Sequence, residues 1–138
     1  MTPADIPPKS VPDEGNYESS GAPWPKELRV FKEEARLEID FSDGRNFSLP
    51  AEYLRVESPS AEVQGHGPNQ KKIVAGRRHV KISTVEPVGH YAVRIVFDDK
   101  HDTGIFSWSY LRELGETQAE RWAAYQAALL YRGLGRDP

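Results

Sequence analysis

The stretch 91–111 constrains the fold more than any other part of the chain. Tyr91, Val93, Ile95 and Phe97 recur at every second position, which is the period of a strand with one buried face. An acidic turn and a short apolar run follow, and the run leads to Ser107, a residue type that often caps helix N-termini. The stretch therefore predicts a strand, a tight turn, a short strand and a helix in succession.

Two further segments show the same alternation. Leu37, Ile39 and Phe41 alternate with charged residues, and the sequence 42–45 that follows contains a glycine suited to a hairpin turn. Val80 and Ile82 begin a strand that pairs, by the same argument, with the one at residues 91–97. Hairpin connections of this kind give antiparallel sheets.

Helix signals lie after the first hairpin and at the end of the chain. Pro50 favours the start of a short helix, because a first turn does not need its N–H. Ser107 predicts a helix over 108–114 that stops at Gly115, and Thr117 with Glu120 has capping-box spacing for a second one. The order predicts an α+β fold: an antiparallel β-sheet of hairpins, a short middle helix, and two C-terminal helices packed on one face.

Composition excludes several classes of protein. The 138 residues carry a formal net charge of −3, which gives no global attraction to nucleic acid or to anionic membranes. There is no cysteine, so a disulfide framework, a thiolate metal site and a cysteine nucleophile are excluded. No signal peptide or membrane-spanning run is evident, and we expect a cytoplasmic protein with no membrane partner.

Proline divides the chain into a tail and a single domain. Six of the eleven prolines fall within residues 1–25, where large apolar residues are scarce. Such a segment cannot bury enough surface to offset the entropy of ordering it. We therefore predict a flexible Pro-rich tail over 1–25 and one domain over 26–135.

Three ordered blocks of the sequence resemble a known family. The blocks are Leu54–Gly67, Ile82–Arg94 and Phe97–Leu111. Together they are similar to the DUF971 proteins, which are related to the N-terminal domain of gamma-butyrobetaine hydroxylase, over about residues 30–132. The resemblance implies a small α+β domain that often accompanies other domains, including P-loop carriers of iron–sulfur clusters.

The resemblance also implies where a metal site would lie and why this chain departs from it. In the animal hydroxylase, three cysteines and a histidine hold a structural zinc. The counterparts of the cysteines fall in or near Ser58, Ser60 and Val63, and His101 is the counterpart of the histidine. Hydroxyls are poor zinc ligands, so that site cannot form here. Lys100 stands where relatives have glycine, which would strain a turn that requires a positive φ.

The residues around His101 leave three interpretations open. Imidazole and carboxylates suit a divalent metal, iron or zinc, held by His101, Asp99 and Asp102 with His66 as a distant ligand. Alternatively the acidic groups cap a solvated turn. A third interpretation is a ligand- or peptide-binding surface that includes Asp98, Trp108 and Tyr110, although aromatic residues at this spacing are more typical of a core.

A run of basic residues is a further candidate for a binding surface. Lys71, Lys72, Arg77 and Arg78, continuing to Lys81, could contact phosphates or an acidic partner. A charge run is more often a solvated face, so nucleic acid is the less favoured partner.

No catalytic motif is present. The sequence has no His-x-Asp/Glu pair of an iron oxygenase, no Gly-x-Ser-x-Gly elbow and no phosphate-binding glycine loop. We therefore expect no enzyme activity and no catalytic residue. The favoured function is a non-enzymatic accessory domain that binds a protein partner, with a link to metal or iron–sulfur handling implied by the resemblance alone.

Overall fold

The computed structural model describes residues 4–5, 22–65 and 70–138, and these form an α+β domain. The strands are β1 Ala4–Asp5, β2 Pro25–Phe31, β3 Arg36–Phe41, β4 Asn46–Pro50, β5 Ile82–Val88, β6 Ala92–Phe97 and β7 Gly104–Ser107. The helices are α1 Ala51–Val56, α2 Ala61–Gln64, α3 Trp108–Glu116 and α4 Gln118–Arg132. The predicted fold class is confirmed, with one difference: the described strands form two antiparallel sheets.

The first sheet has the order β1-β2-β3-β4. Leu37 pairs with Leu49 and Ile39 pairs with Phe47, so the alternating apolar residues of both strands share one face. Gly44 takes a φ of +85° in the predicted turn between β3 and β4. Of the predicted tail, residues 4–5 form β1 and residues 22–25 lead into β2. Residues 1–3 and 6–21 lie outside the described residues, and their flexibility stays a prediction.

The second sheet has the order β5-β6-β7, and its strands β6 and β7 lie in the stretch 91–111. Val93, Ile95 and Phe97 are at most 1% exposed, whereas Tyr91 lies before the strand and is 57% exposed. The two sheets are separate because β4 ends at Pro50, where the chain enters α1, and an irregular segment precedes β5.

One apolar core joins the two sheets and the helices α1 and α3. It contains Leu37 and Leu49 from the first sheet, Ile95 and Phe106 from the second, and Leu111 from α3. A second, smaller cluster lies beneath α4 and consists of Val56, Tyr125 and Leu129. Trp122 of α4 packs against both clusters and so connects this helix to the core of the sheets.

Helix α3 begins as predicted and ends later than predicted. The hydroxyl oxygen of Ser107 accepts a hydrogen bond from the backbone N–H of Tyr110 at 3.0 Å, which is a standard N-cap. Gly115 lies inside the helix, and a Cβ there would lie 2.4 Å from the ring of Phe47. The glycine therefore permits a close helix–strand contact. Thr117 does not cap α4, because its hydroxyl donates to the carbonyl of Glu113.

No helix among the described residues is both long and apolar enough to cross a membrane.

Candidate functional site

The turn between β6 and β7 contains four of the predicted site residues, Asp98, Asp99, His101 and Asp102. The N–H of Phe97 donates to the carbonyl of His101 at 3.0 Å, and the N–H of Lys100 donates to the carbonyl of Phe97 at 3.1 Å. These bonds close a tight turn in which Lys100 has a φ of +75°. A side chain in this left-handed region costs roughly 1 kcal/mol, so the strain foreseen for lysine is present.

His101 is buried and both of its ring nitrogens have partners. The imidazole is 4% exposed. Its Nδ1 lies 2.9 Å from Glu62 Oε1, and its Nε2 lies 2.9 Å from the hydroxyl oxygen of Ser58. A neutral ring satisfies both contacts when Nδ1–H donates to Glu62 and Nε2 accepts from Ser58. We call Ser58, Glu62, Asp99 and His101, with Arg55, the His101 cluster.

The surroundings favour this neutral ring. Burial lowers the pKa of His101, and the positive charge of Arg55 lowers it further, although Glu62 and Asp99 act in the opposite direction. The net pKa is below the ordinary value of a histidine. His101 is therefore a hydrogen-bonding group near neutral pH rather than a cation.

Asp99 is the second anchor of the cluster. Its Oδ2 accepts from Nε of Arg55 at 2.8 Å and from Nε of Arg77 at 2.7 Å, and its Oδ1 accepts from the N–H of His101 at 3.1 Å. Burial alone would raise the pKa of Asp99, but the hydrogen bonds from Arg55 and His101 outweigh it, so the pKa lies below the usual range. Nη1 of Arg55 is buried without a hydrogen-bond partner among the described residues.

The segment between α1 and α2 supplies the opposite wall of the cluster. Ser60 caps α2, because its hydroxyl oxygen accepts from the N–H of Glu62 at 3.1 Å, and the same oxygen lies 2.6 Å from the hydroxyl oxygen of Thr103. A Cβ on Gly104 would lie only 2.6 Å from the hydroxyl oxygen of Ser58. The glycine thus lets β7 approach the serine closely.

Ser58, His101 and Glu62 are connected in the order of a hydrolytic triad, but their environment does not suit catalysis. Ser58 is 0% exposed, and its hydroxyl oxygen also accepts from the N–H of Ser60 at 3.3 Å. A nucleophile needs space beside it for a substrate carbonyl and for oxyanion donors. The close approach of Gly104 fills that side, so the arrangement is suited to holding two segments together.

The described residues do not fit a metal ion. Within residues 22–65 and 70–138, no three histidine or carboxylate side chains are grouped so as to hold one. Asp99 is paired with two arginines and His101 has no free ring nitrogen, while Asp102 contributes its backbone carbonyl, 3.0 Å from Arg94 Nη1. His66, the fourth predicted ligand, lies outside the described residues.

The predicted binding surface beside the turn is largely internal. Trp108 is 4% exposed and its ring N–H donates to the carbonyl of His90 at 2.9 Å. The hydroxyl of Tyr110 donates to the carbonyl of Glu57 at 2.6 Å, and its burial raises the pKa of Tyr110 to about 12. Asp98 is exposed and accepts from the N–H of Lys81 at 3.0 Å. The two aromatic side chains therefore serve the core.

Most of the basic run is neutralised within the molecule. Lys71 Nζ lies 2.7 Å from Glu57, Arg77 Nε lies 2.7 Å from Asp99, and Arg78 Nε lies 2.5 Å from Asp137. Lys72 is exposed, and no ion pair involves it within the part of the chain that the structure describes. Paired cations attract phosphates weakly, which disfavours this run as a nucleic-acid surface.

Arg55 and Glu62 belong to the cluster although no sequence pattern points to them. Ser58 and His101, which touch, are separated by 43 positions in the chain. The family resemblance marks His101 and the segment 58–63 as counterparts of a zinc site, but it carries no signal for Glu62 or Arg55 as partners of His101 and Asp99. Glu62 lies in the first turn of α2, where an acidic residue is common because it interacts favourably with the helix dipole, so its position alone does not indicate a site.

Comparisons with known proteins place this geometry in a family. The family model described as gamma-butyrobetaine hydroxylase-like, N-terminal, matches residues 28–112. No curated protein is significantly similar to the chain. Two solved NMR structures are similar at 42% and 43% identity, cover 84% and 86% of this chain and 91% and 89% of their own, and have TM-scores of 0.74 and 0.73.

A crystal structure extends the comparison. It is of a DUF971 protein of unknown function from Acidithiobacillus ferrooxidans, is 44% identical, covers 66% of this chain and 91% of that chain, and has a TM-score of 0.56. The match of the family model spans both sheets, from β2 to helix α3, and includes the His101 cluster. The chain therefore belongs to the DUF971 family, the gamma-butyrobetaine hydroxylase-like N-terminal domains.

Proposed function

We propose that the protein is a non-enzymatic interaction domain that binds a protein partner through the exposed end of α4. The observation that carries this proposal is the exposure of large apolar side chains there. Leu130 is 83% exposed and Tyr131 is 91% exposed, and Leu134, just after the helix, is 45% exposed.

The opposite side of the same helix already has a structural role. Tyr125 and Leu129 are 8% and 4% exposed and belong to the cluster beneath α4. The fold therefore does not need Leu130 or Tyr131, and exposing both has a cost in solubility. Tyrosine is one of the residues that most often dominate protein interfaces, and adjacent exposed apolar residues are a common mark of such surfaces.

The His101 cluster supports the non-enzymatic part of the proposal. Its serine is inaccessible, its histidine has both nitrogens engaged, and its aspartate is paired with two arginines. We place any role in metal or iron–sulfur handling with the partner, because the described donors of this chain bind one another. The cytoplasmic location stays a prediction.

Site-specific photocrosslinking in the native cell tests the proposal. Benzoylphenylalanine at position 131 should give one discrete adduct, and Leu130→Ser in the same chain should abolish it. The purified partner should then bind the wild type and fail to bind the L130S/Y131S variant. Thermal unfolding of that variant should match the wild type, because neither side chain is buried.

Position 127 provides the matched control, since Ala127 is an exposed residue of the same helix. The same crosslinker there should give no such adduct. Identical adducts at both positions, or none at position 131, would overturn the proposal. Stoichiometric metal in the purified wild type that is absent from His101→Ala would instead favour a metal-binding function.

A further inference from the structure

A groove with a volume of about 330 Å³ lies between α4 and the irregular segment that precedes β5. Its floor is apolar: Val56, Ile73, Val74, Ala128 and Tyr125 line it. Four of these residues also belong to or pack against the small core beneath α4, so the floor is a fixed part of the fold. The hydroxyl of Tyr125 donates to the carbonyl of Val74 at 2.6 Å, and this hydrogen bond joins α4 to the segment that precedes β5.

Cations surround this floor. Lys71, Lys72, Arg121 and Arg132 line the groove, and among the described residues Glu57 is its one lining carboxylate. The protein as a whole carries a formal net charge of −3, so the excess of positive charge is local. Charge of one sign at the rim of a concave apolar surface attracts ligands of the opposite sign.

Two of the four cations are committed to internal ion pairs. Glu57 is 4% exposed and accepts from Lys71 Nζ at 2.7 Å and from Arg121 Nη1 at 3.2 Å. Arg121 also contacts Glu113 at 2.5 Å. These ion pairs neutralise the carboxylate of Glu57, so that it does not repel an anionic ligand.

The other two cations are available. Lys72 and Arg132 are exposed, and neither has a hydrogen bond or an ion pair from its side chain within the described parts of the chain. They lie on the two walls of the groove, one before β5 and one in the last turn of α4. An apolar floor with unpaired cations on both sides complements a molecule that has an apolar body and an anionic head.

We propose that this groove is a binding site for a small amphipathic organic anion, whose apolar part lies on Val74 and Tyr125 and whose carboxylate contacts Lys72 and Arg132. The volume is that of a small-molecule site and is small for a folded partner. Leu130 and Tyr131 do not line the groove, so this proposal does not rest on the proposed function and is tested separately.

NMR titration of the full chain with three probes of equal chain length tests the proposal. Octanoate, octanol and octylammonium share the apolar tail and differ in the charge of the head. Octanoate should shift the amide signals of Ile73, Val74 and Ala128 with a dissociation constant of about 1 mM or lower. At equal low-millimolar concentration, octanol and octylammonium should give shifts about tenfold smaller.

Two variants locate the site, each with a matched control. Ala124 lines the groove and Ala127 does not, although both are exposed residues of α4. Ala124→Glu should reduce octanoate affinity at least about tenfold, whereas Ala127→Glu should leave it unchanged. The K72E/R132E double variant should lose binding while K32E/K81E, which changes the net charge equally at exposed lysines, should retain it.

Equal shifts from octanol and octanoate would overturn the proposal, because they would show that the cations take no part. No shift at the groove amides, or equal losses in A124E and A127E, would overturn it as well. Since the three substituted positions of the test variants, 72, 124 and 132, are solvent-exposed, the thermal unfolding of these variants should stay close to that of the wild type. The proposed protein interface would be unaffected by any of these outcomes.

Discussion

The His101 cluster differs from the exposed end of α4 and the adjoining groove in whether its side chains have partners within the protein. The cluster contains serine, histidine and carboxylates, the residue types of catalytic and metal sites, yet each of these side chains is engaged inside the protein. The exposed end of α4 and the adjoining groove contain leucine, tyrosine, alanine and basic residues, which are not the residue types of catalytic sites, yet several lack partners within the described residues. Our proposals for this protein therefore rest on exposure and unpaired groups rather than on residue type.

The largest effect on stability is expected for His101→Ala. The substitution leaves a cavity and removes the partners of Ser58 and Glu62, and of these Ser58 is fully buried. We expect a loss of about 2–4 kcal/mol in the free energy of unfolding, measured by urea denaturation. His79→Ala serves as the control, because His79 is exposed, and it should change stability by less than about 0.5 kcal/mol. Equal effects of the two variants would contradict a structural role for the cluster.

A somewhat smaller loss is expected for Asp99→Asn. The substitution removes the charge that Arg55 and Arg77 share, and the side chain of Arg55 is only 9% exposed. Because Asp99 is partly exposed, we expect about 2 kcal/mol, below the value for a fully buried pair. The neighbouring Asp98→Asn, at an exposed residue, should cost no more than about 0.5 kcal/mol by the same measurement.

Acid should weaken the cluster, and the sign follows from both lowered pKa values. The pKa of folded His101 is below its unfolded value of about 6.5, so the unfolded state binds a proton first and stability falls as the pH drops below that value. The contribution of Asp99 is present above a pH of about 4 and is lost on further acidification. Urea denaturation at several pH values checks this.

His101→Gln should remove the pH dependence between about 7 and 5. Stability that rises on acidification through this range in the wild type would contradict a neutral, buried His101.

Lys100→Gly should stabilise the protein slightly. Lys100 has a φ of +75°, which glycine adopts without a Cβ penalty, and the side chain is exposed. We expect a gain of about 0.5–1 kcal/mol in thermal or urea unfolding. A loss of stability would show that the lysine side chain contributes contacts that outweigh the strain.

The smallest change in stability is expected at the exposed end of α4. Leu130→Ala should alter stability by less than about 0.5 kcal/mol, since Leu130 is 83% exposed. The adjacent Leu129→Ala is the matched control and should cost about 2–4 kcal/mol, because Leu129 is 4% exposed. Similar losses in the two variants would mean that Leu130 has a structural role and would weaken the proposed interface.

Local patterns were enough to predict much of the fold. Alternation located the strands that became β3 and β6, the serine before Trp108 predicted the start of α3, and the order of the elements predicted the α+β class. Each of these signals depends on neighbouring residues only, because side-chain periodicity and capping act over one or two turns.

Gly115 shows where local reasoning fails. Its type indicates a helix end, but the helix continues and the missing Cβ makes room for the ring of Phe47. Only the packing of α3 against β4 could decide between these two uses of a glycine. The split into two sheets is a similar case, since each hairpin forms locally while their relative placement depends on the shared core.

From the sequence alone, most of the strands and helices and the α+β class could be predicted, and the family resemblance pointed to His101 and the segment 58–63 as counterparts of a metal site. Only the tertiary structure showed that Glu62 and Arg55 complete the cluster and that Ser58 is fully buried within it. It also showed that Lys72 and Arg132 have no side-chain partner among the described residues beside an apolar groove, whereas Lys71 and Arg77 are paired. The physical reason is that ion pairing and burial depend on contacts between residues far apart in the chain, which no local pattern encodes.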